Sequence, residues 1–242
     1  MLENILDRER DLFLFLNSLH SQFGDQFMWL ISGKIAWAPA FVLFVVIYSY
    51  QNRQQWKEVL LVFVSIAIVI ALCDQFSSGF CKPFFARLRP THHPDFMNEV
   101  KTVFDYRGGL YGFISSHAAN AFGFATVTSL IFKNRLYSGI IILWAIINSY
   151  SRIYLGVHFI SDIVAGIVAG FLIGLIVGFI FSYFYFKFFP FDFFYYSLQK
   201  KINLYPFPRE GLTVIAYLII LTFIVIAVIS ALYALNVIDA IR

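Results

Sequence analysis

The sequence is poor in charge: only 13% of its 242 residues are Asp, Glu, Lys or Arg, whereas 60% are hydrophobic. A water-soluble domain needs more polar side chains than this to cover its surface. The shortage of charge therefore excludes a soluble globular protein and predicts an all-α integral membrane protein.

Cysteine is scarce too, and we expect Cys73 and Cys81 to be free thiols. The first ten residues lack the apolar core of a cleavable signal peptide.

The excess of positive charge is small and does not indicate a nucleic-acid partner. The formal net charge is +4, and the basic residues lie mostly in short connections between apolar runs. Such a distribution is typical of membrane topology signals and of contacts with anionic lipid headgroups.

Six apolar runs each approach the roughly 20 residues that a helix needs to cross a membrane. They predict one domain, residues 1–242, built as a bundle of about six transmembrane helices. Before them, residues 2–22 mix charges with Leu and Phe, which predicts an amphipathic helix at the membrane interface. A polar and aromatic segment, 187–210, precedes the last run. The predicted spans are 26–50, 56–76, 115–132, 136–154, 158–185 and 211–235.

The polar residues of the chain concentrate between positions 82 and 162. If six helices cross the membrane, the end of the second, the start of the third and the junction of the fourth and fifth share one membrane face. Charge is expensive within a membrane and is usually retained there for function. We therefore expect a shared site containing Lys82, Arg89, His117, Arg152, His158 and Asp162.

The stretch 151–162 indicates the chemistry of this site. On a helix that begins near His158, Asp162 falls one turn later on the same face. A carboxylate in that position orients an imidazole, as it does in hydrolytic triads. Arg152 offers a planar fork that suits phosphate oxygens. These residues predict a phosphoryl-transfer site in which His158 attacks.

Three motifs in this region resemble those of the type 2 phosphatidic acid phosphatase superfamily. The family pattern Lys-x6-Arg-Pro is complete, and so is Ser-Arg-x5-His-x3-Asp. The pattern Pro-Ser-Gly-His is partial, because Ile114 and Ser116 stand at its proline and glycine positions. The matching residues are Lys82, Arg89, Pro90, Ser115, His117, Ser151, Arg152, His158 and Asp162.

The resemblance implies a membrane-bound lipid phosphatase that needs no cofactor and no metal. It implies that His158 forms a phosphohistidine, that Asp162 holds its ring, and that His117 protonates the departing oxygen and then activates water. The implied phosphate-binding residues are Lys82, Arg89, Ser115, Ser116 and Arg152.

The expected partner is a phosphorylated membrane lipid, such as undecaprenyl diphosphate, a lipid A phosphate or a phosphatidate-type lipid. One alternative is a phosphotransferase that passes the phosphoryl group to another lipid. A more distant alternative is a transporter or proton-relay protein. That function predicts charges spread through the membrane depth, whereas here they cluster at one face.

The longest polar connection, 91–114, lies on the side of the expected site. Its His92, His93 and Asp95 resemble a metal cluster, but we favour solvated loop residues or headgroup contacts. Arg87 is interpreted as an anchor at a helix end. The glycines that recur every four residues in the fifth span predict a packing seam, and they are Gly166, Gly170, Gly174 and Gly178.

The membrane orientation is only weakly encoded. Eight Lys and Arg residues lie on the opposite side, against seven on the site side once Lys82, Arg89 and Arg152 are set aside. This count slightly favours an outward-facing site. Together with the resemblance, it predicts a bacterial inner-membrane protein whose site faces the periplasm.

Overall fold

The computed structural model describes residues 2–189 and 209–235, and the regular structure in these ranges is helical. Short 3-10 turns cover Arg53–Gln55 and Pro90–His92, and a π-helix covers Gln75–Cys81. The α-helices are α1 (Leu2–Asn17), α2 (Gln22–Ser32), α3 (Lys34–Gln51), α4 (Trp56–Asp74), α5 (Lys82–Phe85), α6 (Ser116–Phe132), α7 (Arg135–Tyr154), α8 (Ile160–Phe188) and α9 (Arg209–Ala234).

Five helical segments within the described ranges are long and apolar enough to cross a membrane. A sixth helix, α6, has 17 residues, about 26 Å at 1.5 Å per residue, and packs against α4, α7 and α8. The predicted all-α membrane fold is confirmed. The five segments are Lys34–Gln51, Arg53–Phe85, Arg135–Tyr154, Ile160–Phe188 and Leu212–Ala234.

The first two predicted spans have the wrong limits. The run 26–50 is broken at Gly33, whose extended backbone separates α2 from α3. The run 56–76 does not end at its polar residues, because the helix continues through the π-turn and α5 to Phe85. It stops at Ala86, which adopts a left-handed conformation. Polar side chains near a membrane face are solvated or paired, so they need not end a helix.

The glycine seam is confirmed, and it joins α8 to α6. A Cβ on Gly166 would lie 2.6 Å from the carbonyl oxygen of Ser115, and one on Gly174 would lie 2.9 Å from that of Gly123. Only small residues allow two helix backbones to approach this closely. The beginnings of the two helices are also joined directly, since the Ser115 N–H donates to the Asp162 carbonyl at 3.0 Å. The seam therefore brings the second and third motifs together.

The N-terminal helix α1 is amphipathic, as predicted, and it packs on the end of the bundle. Phe13 is fully buried, with its ring centroid 5.5 Å from that of Phe159. The opposite face exposes Leu12 and Phe15, as expected for a helix at a membrane interface. At its C-terminus, the buried Asn17 donates to the carbonyl of Tyr154 at 2.9 Å.

The long connection between α5 and α6 folds back beside the motif residues. Residues 87–89 run antiparallel to 110–112: the Arg89 N–H donates to the Leu110 carbonyl at 3.1 Å, and the Gly112 N–H donates to the Arg87 carbonyl at 2.8 Å. Gly108 has a φ of 69°, and a side chain there would collide with the Arg89 guanidinium. The loop is thus shaped to hold Arg89 in place.

Candidate active site

His158 and Asp162 lie in contact at one end of the bundle, but not on one helix. Helix α8 begins at Ile160, so His158 belongs to the extended segment before it, and the predicted helix start is wrong. The contact forms because Asp162 occupies the first turn, where its Oδ2 accepts the Phe159 N–H at 3.1 Å. The same oxygen lies 3.3 Å from His158 Nδ1. This contact engages Nδ1, as the carboxylate of a hydrolytic triad does.

His158 is buried and faces positive charge. Burial lowers its pKa well below the usual value, and the charges of Arg89, Arg152 and Lys82 lower it further. Each of these effects disfavours the imidazolium form. The uncharged ring, the form in which an imidazole can act as a nucleophile, is therefore favoured.

Among the described residues, two of the three predicted phosphate-binding cations have hydrogen-bond partners that are all uncharged. Lys82 Nζ donates to Ser116 Oγ at 2.7 Å and to Ser78 Oγ at 3.3 Å. Arg89, which is 8% exposed, donates to the carbonyls of Tyr111 at 3.1 Å and Val157 at 3.4 Å.

Arg152, the third cation, is 3% exposed and is held by two residues that the sequence did not reveal. Its guanidinium donates to the Tyr106 hydroxyl at 3.2 Å and to Ser32 Oγ. Ser32 reaches it because the chain breaks at Gly33, and Tyr106 comes from the long loop. Nothing in the motif spacing indicates either residue. The buried Nε of Arg152 has no hydrogen-bond partner among the described residues.

The three cations therefore form a cluster of positive charge without a carboxylate in direct contact. Within residues 2–189 and 209–235, none of them lies within ion-pair distance of a carboxylate. Burying a charge without a counter-charge costs several kcal/mol. Such a cluster is adapted to bind a multiply charged anion, which would supply the missing negative charge.

The beginning of α6 contributes the second motif. Ser115 caps this helix, as predicted, by accepting the Ala118 N–H at 3.4 Å. Ser115 is fully buried, so its binding of phosphate stays a prediction, whereas Ser116 contacts Lys82 directly. His117, in the first turn, faces the charges of Arg152 and Arg89. A helix N-terminus adds N–H groups that suit an anion.

A cavity of about 550 Å³ adjoins this site and extends along the membrane-spanning helices. Ser116, His117 and Asp74 line it near the motif face. Deeper in the bundle, the lining is mostly apolar and includes Phe44 and Phe124. A molecule with a phosphorylated head and an apolar body matches this division.

Arg87 is not the exposed anchor that the sequence suggested. Its guanidinium turns inward and donates to Asp162 Oδ1 at 2.8 Å, Ser161 Oγ at 2.5 Å and Glu9 Oε2 at 2.9 Å. Glu9 carried no sequence signal, because it lies in α1, far from every motif. Unlike the three cations above, Arg87 is fully paired with carboxylates.

The histidines of the long loop have separate partners. His92 Nδ1 lies 3.1 Å from Thr91 Oγ1, and His93 Nδ1 lies 3.6 Å from Asp95 Oδ2. The His93 ring stacks on Phe96 at 4.4 Å between centroids. Across the part of the chain that the structure describes, no three His, Cys, Asp or Glu side chains are grouped to hold a metal ion. These contacts favour a structural role in the loop.

Cys73 and Cys81 are buried free thiols, as expected.

Comparison with known proteins connects this site to a family. A family model described as the PAP2 superfamily matches residues 58–188. A lipid A 4'-phosphatase of Porphyromonas gingivalis is 47% identical over 165 residues, covering 67% of this chain and 68% of that protein. A lipid A 4'-phosphatase of Bacteroides thetaiotaomicron is 40% identical over 166 residues, covering 68% of this chain and 73% of that protein.

Two solved structures have the same fold. LpxE of Aquifex aeolicus superposes with a TM-score of 0.52 and 25% identity, covering 69% of this chain and 92% of that one. A PAP2-type phosphatidylglycerolphosphate phosphatase of Bacillus subtilis has a TM-score of 0.55 and 20% identity, covering 78% and 89%. The second likeness concerns the fold alone.

Proposed function

Because the chain belongs to the PAP2 superfamily and is a phosphatase that acts on a membrane lipid, we propose that it removes a phosphate group from a lipid A-type glycolipid. The observation that carries this proposal is the cluster of three cations, none in direct contact with a carboxylate among the described residues, around the buried imidazole of His158. The names of the two relatives support the choice of lipid.

We further propose that the site faces the periplasm, which the slight excess of basic residues on the other side supports. Two of those residues, Lys200 and Lys201, lie outside the described residues.

The proposed reaction has two steps. His158 Nε2 attacks phosphorus while the bond to the sugar oxygen breaks, and His117 gives that oxygen a proton. Water then attacks the phosphohistidine, His117 takes a proton from the water, and the P–N bond breaks to release phosphate. Lys82, Arg89 and Arg152 stabilise the charge on the equatorial oxygens in both steps.

The experiment that tests the function is a phosphate-release assay on purified protein with lipid A bisphosphate, undecaprenyl diphosphate and phosphatidate. We expect the fastest release from lipid A, no loss of activity with EDTA, and inhibition by vanadate as a phosphate mimic. Label that moves to a second lipid instead of to water would indicate a phosphotransferase. In spheroplasts, a water-soluble phosphate ester that cannot cross the membrane should be hydrolysed only by an outward-facing site.

Filling the cavity is expected to weaken the binding of lipid substrates and to leave the binding of soluble substrates unchanged. Ala38 lines the cavity and is not part of the buried core, so a tryptophan there would take up space that a lipid body needs. We expect Ala38→Trp to raise KM for a lipid phosphate about tenfold, which is the loss of some 1.4 kcal/mol of apolar contact. Its KM for a short water-soluble phosphate ester should stay that of the wild type. Equal effects on both substrates would show that the lipid body binds elsewhere.

The pH profile should report the cations around His158. Replacing Lys82 by methionine removes one charge that disfavours the imidazolium, so the pKa of His158 rises. Because the attack needs the uncharged ring, kcat/KM then begins to fall at a higher pH as the solution is acidified. The substrate titrates equally in both proteins, and Lys57→Met, in the first turn of α4, is the charge-matched control. If the decline of kcat/KM at low pH occurs at the same pH in Lys82→Met as in the wild type, a group other than His158 controls it.

A further inference from the structure

We propose that Glu9 and Arg87 are positioning residues that hold Asp162 against His158, and that helix α1 is therefore part of the active site. This inference rests on the proposed function, since it concerns the orientation of the proposed nucleophile. It assigns a catalytic consequence to a helix that lies outside the three motifs.

Arg87 controls one side of the Asp162 carboxylate. Asp162 is fully buried, and its two oxygens have different partners. Oδ1 accepts from Arg87 at 2.8 Å, while Oδ2 accepts the Phe159 N–H and contacts His158 Nδ1. With both oxygens engaged, the carboxylate plane cannot rotate, so the direction of the imidazole is set as well. Without Arg87, a buried oxygen would lose its charged partner.

Glu9 in turn controls Arg87. Its Oε2 accepts from the Arg87 guanidinium at 2.9 Å, and its Oε1 accepts the Ser161 N–H at 2.7 Å. That N–H belongs to the first turn of α8, where backbone donors lack helical partners. One carboxylate thus fixes both the arginine and the helix start that carries Asp162. Its side chain is only 14% exposed, which limits competition from water.

The arginine is confined on its remaining sides. Its guanidinium lies 4.3 Å from the ring centroid of Phe159, the residue between His158 and α8. Its own carbonyl accepts the Gly112 N–H from the long loop. Within the described part of the chain, the side-chain partners of Arg87 belong to this network, and both of its ion pairs are with Glu9 and Asp162. We therefore assign it to orientation and not to the phosphate cluster.

Neighbouring Arg10 supplies a matched control for the docking of α1. It forms an ion pair with Glu99 at 2.6 Å and lies 4.8 Å from the ring of Phe96. This pair also ties α1 to the rest of the protein, but it does not touch Asp162. If α1 only needed to be attached, removing either pair would have a comparable effect.

The test compares kcat and KM of the full-length wild type with those of Glu9→Gln, Arg87→Gln, Arg87→Lys and Arg10→Gln. We expect Glu9→Gln and Arg87→Gln to lower kcat about 10- to 100-fold, because small displacements of a reacting group have effects of this order. KM should change little. Arg87→Lys should have a higher kcat than Arg87→Gln, because lysine retains the positive charge although it lacks the paired N–H donors of the guanidinium. Arg10→Gln should match the wild type.

A second comparison separates orientation from general damage to the fold. In an Asp162→Asn background, Arg87→Gln should cause no further loss of kcat if it acts through the Asp162 carboxylate. An equal loss in both backgrounds, or equal effects of Glu9→Gln and Arg10→Gln, would overturn the proposal. If Arg87→Gln does not fold, the kcat values of Glu9→Gln and Arg87→Lys test the positioning role in its place. A wild type inactive on every phosphorylated lipid would instead refute the proposed function.

Discussion

Replacement of His158 by alanine is expected to lower kcat by at least about 10⁴-fold, because removal of a nucleophile leaves only binding and electrostatic stabilisation. His158 is buried and faces the charges of Arg89, Arg152 and Lys82, so the residual activity of the variant comes from substrate binding and from these cations. The cations remain in the variant. We therefore expect the substrate to bind with nearly unchanged affinity.

Two measurements identify the role of His158. Wild-type protein quenched during turnover of ³²P-labelled substrate should carry an acid-labile label, and His158→Ala should carry none. Added imidazole should restore part of the activity by occupying the space that the side chain leaves. His92→Ala, a histidine of the long loop, is the control and should retain wild-type activity. A His158→Ala protein that keeps more than about one hundredth of the activity would exclude the proposed nucleophile.

Replacement of His117 by alanine is expected to have an effect that depends on the leaving group. For a sugar or alkyl phosphate, kcat should fall about 10²- to 10⁴-fold, as is usual when a general acid is lost. A nitrophenyl phosphate needs no proton on its leaving oxygen, so its first step should remain fast. The second step lacks its general base with either substrate. Phosphohistidine should therefore accumulate on His158 with the nitrophenyl ester.

The measurement is the release of nitrophenol before the steady state. His117→Ala should show a burst close to one equivalent, followed by slow turnover, while the sugar phosphate shows no burst. His93→Ala is the matched control, since His93 lies in the loop and contacts Asp95 and Phe96 instead of the cation cluster. Equal loss on both substrates without a burst would assign His117 to binding and not to proton transfer.

Much of the site could be predicted because its residues recur at fixed spacing along the chain. Lys82, Arg89, Arg152 and His158 come together as expected, since an even number of membrane crossings returns the chain to the same face. The glycine seam was also predictable, because a small residue every four positions has few other uses in a membrane helix. The start of α8 was placed too early, because the apolar pattern does not distinguish an extended residue from a helical one.

The sequence by itself determined that this chain is a helical membrane protein with its motif residues gathered at one face, because hydrophobicity and motif spacing are local properties. Only the tertiary structure decided which side chains complete that site. Ser32 and Tyr106 reach Arg152 from a helix break and a loop, and Glu9 reaches Arg87 and α8 from the N-terminal helix. Contacts between residues that lie up to 152 positions apart depend on how helices pack, and no spacing along the chain records them.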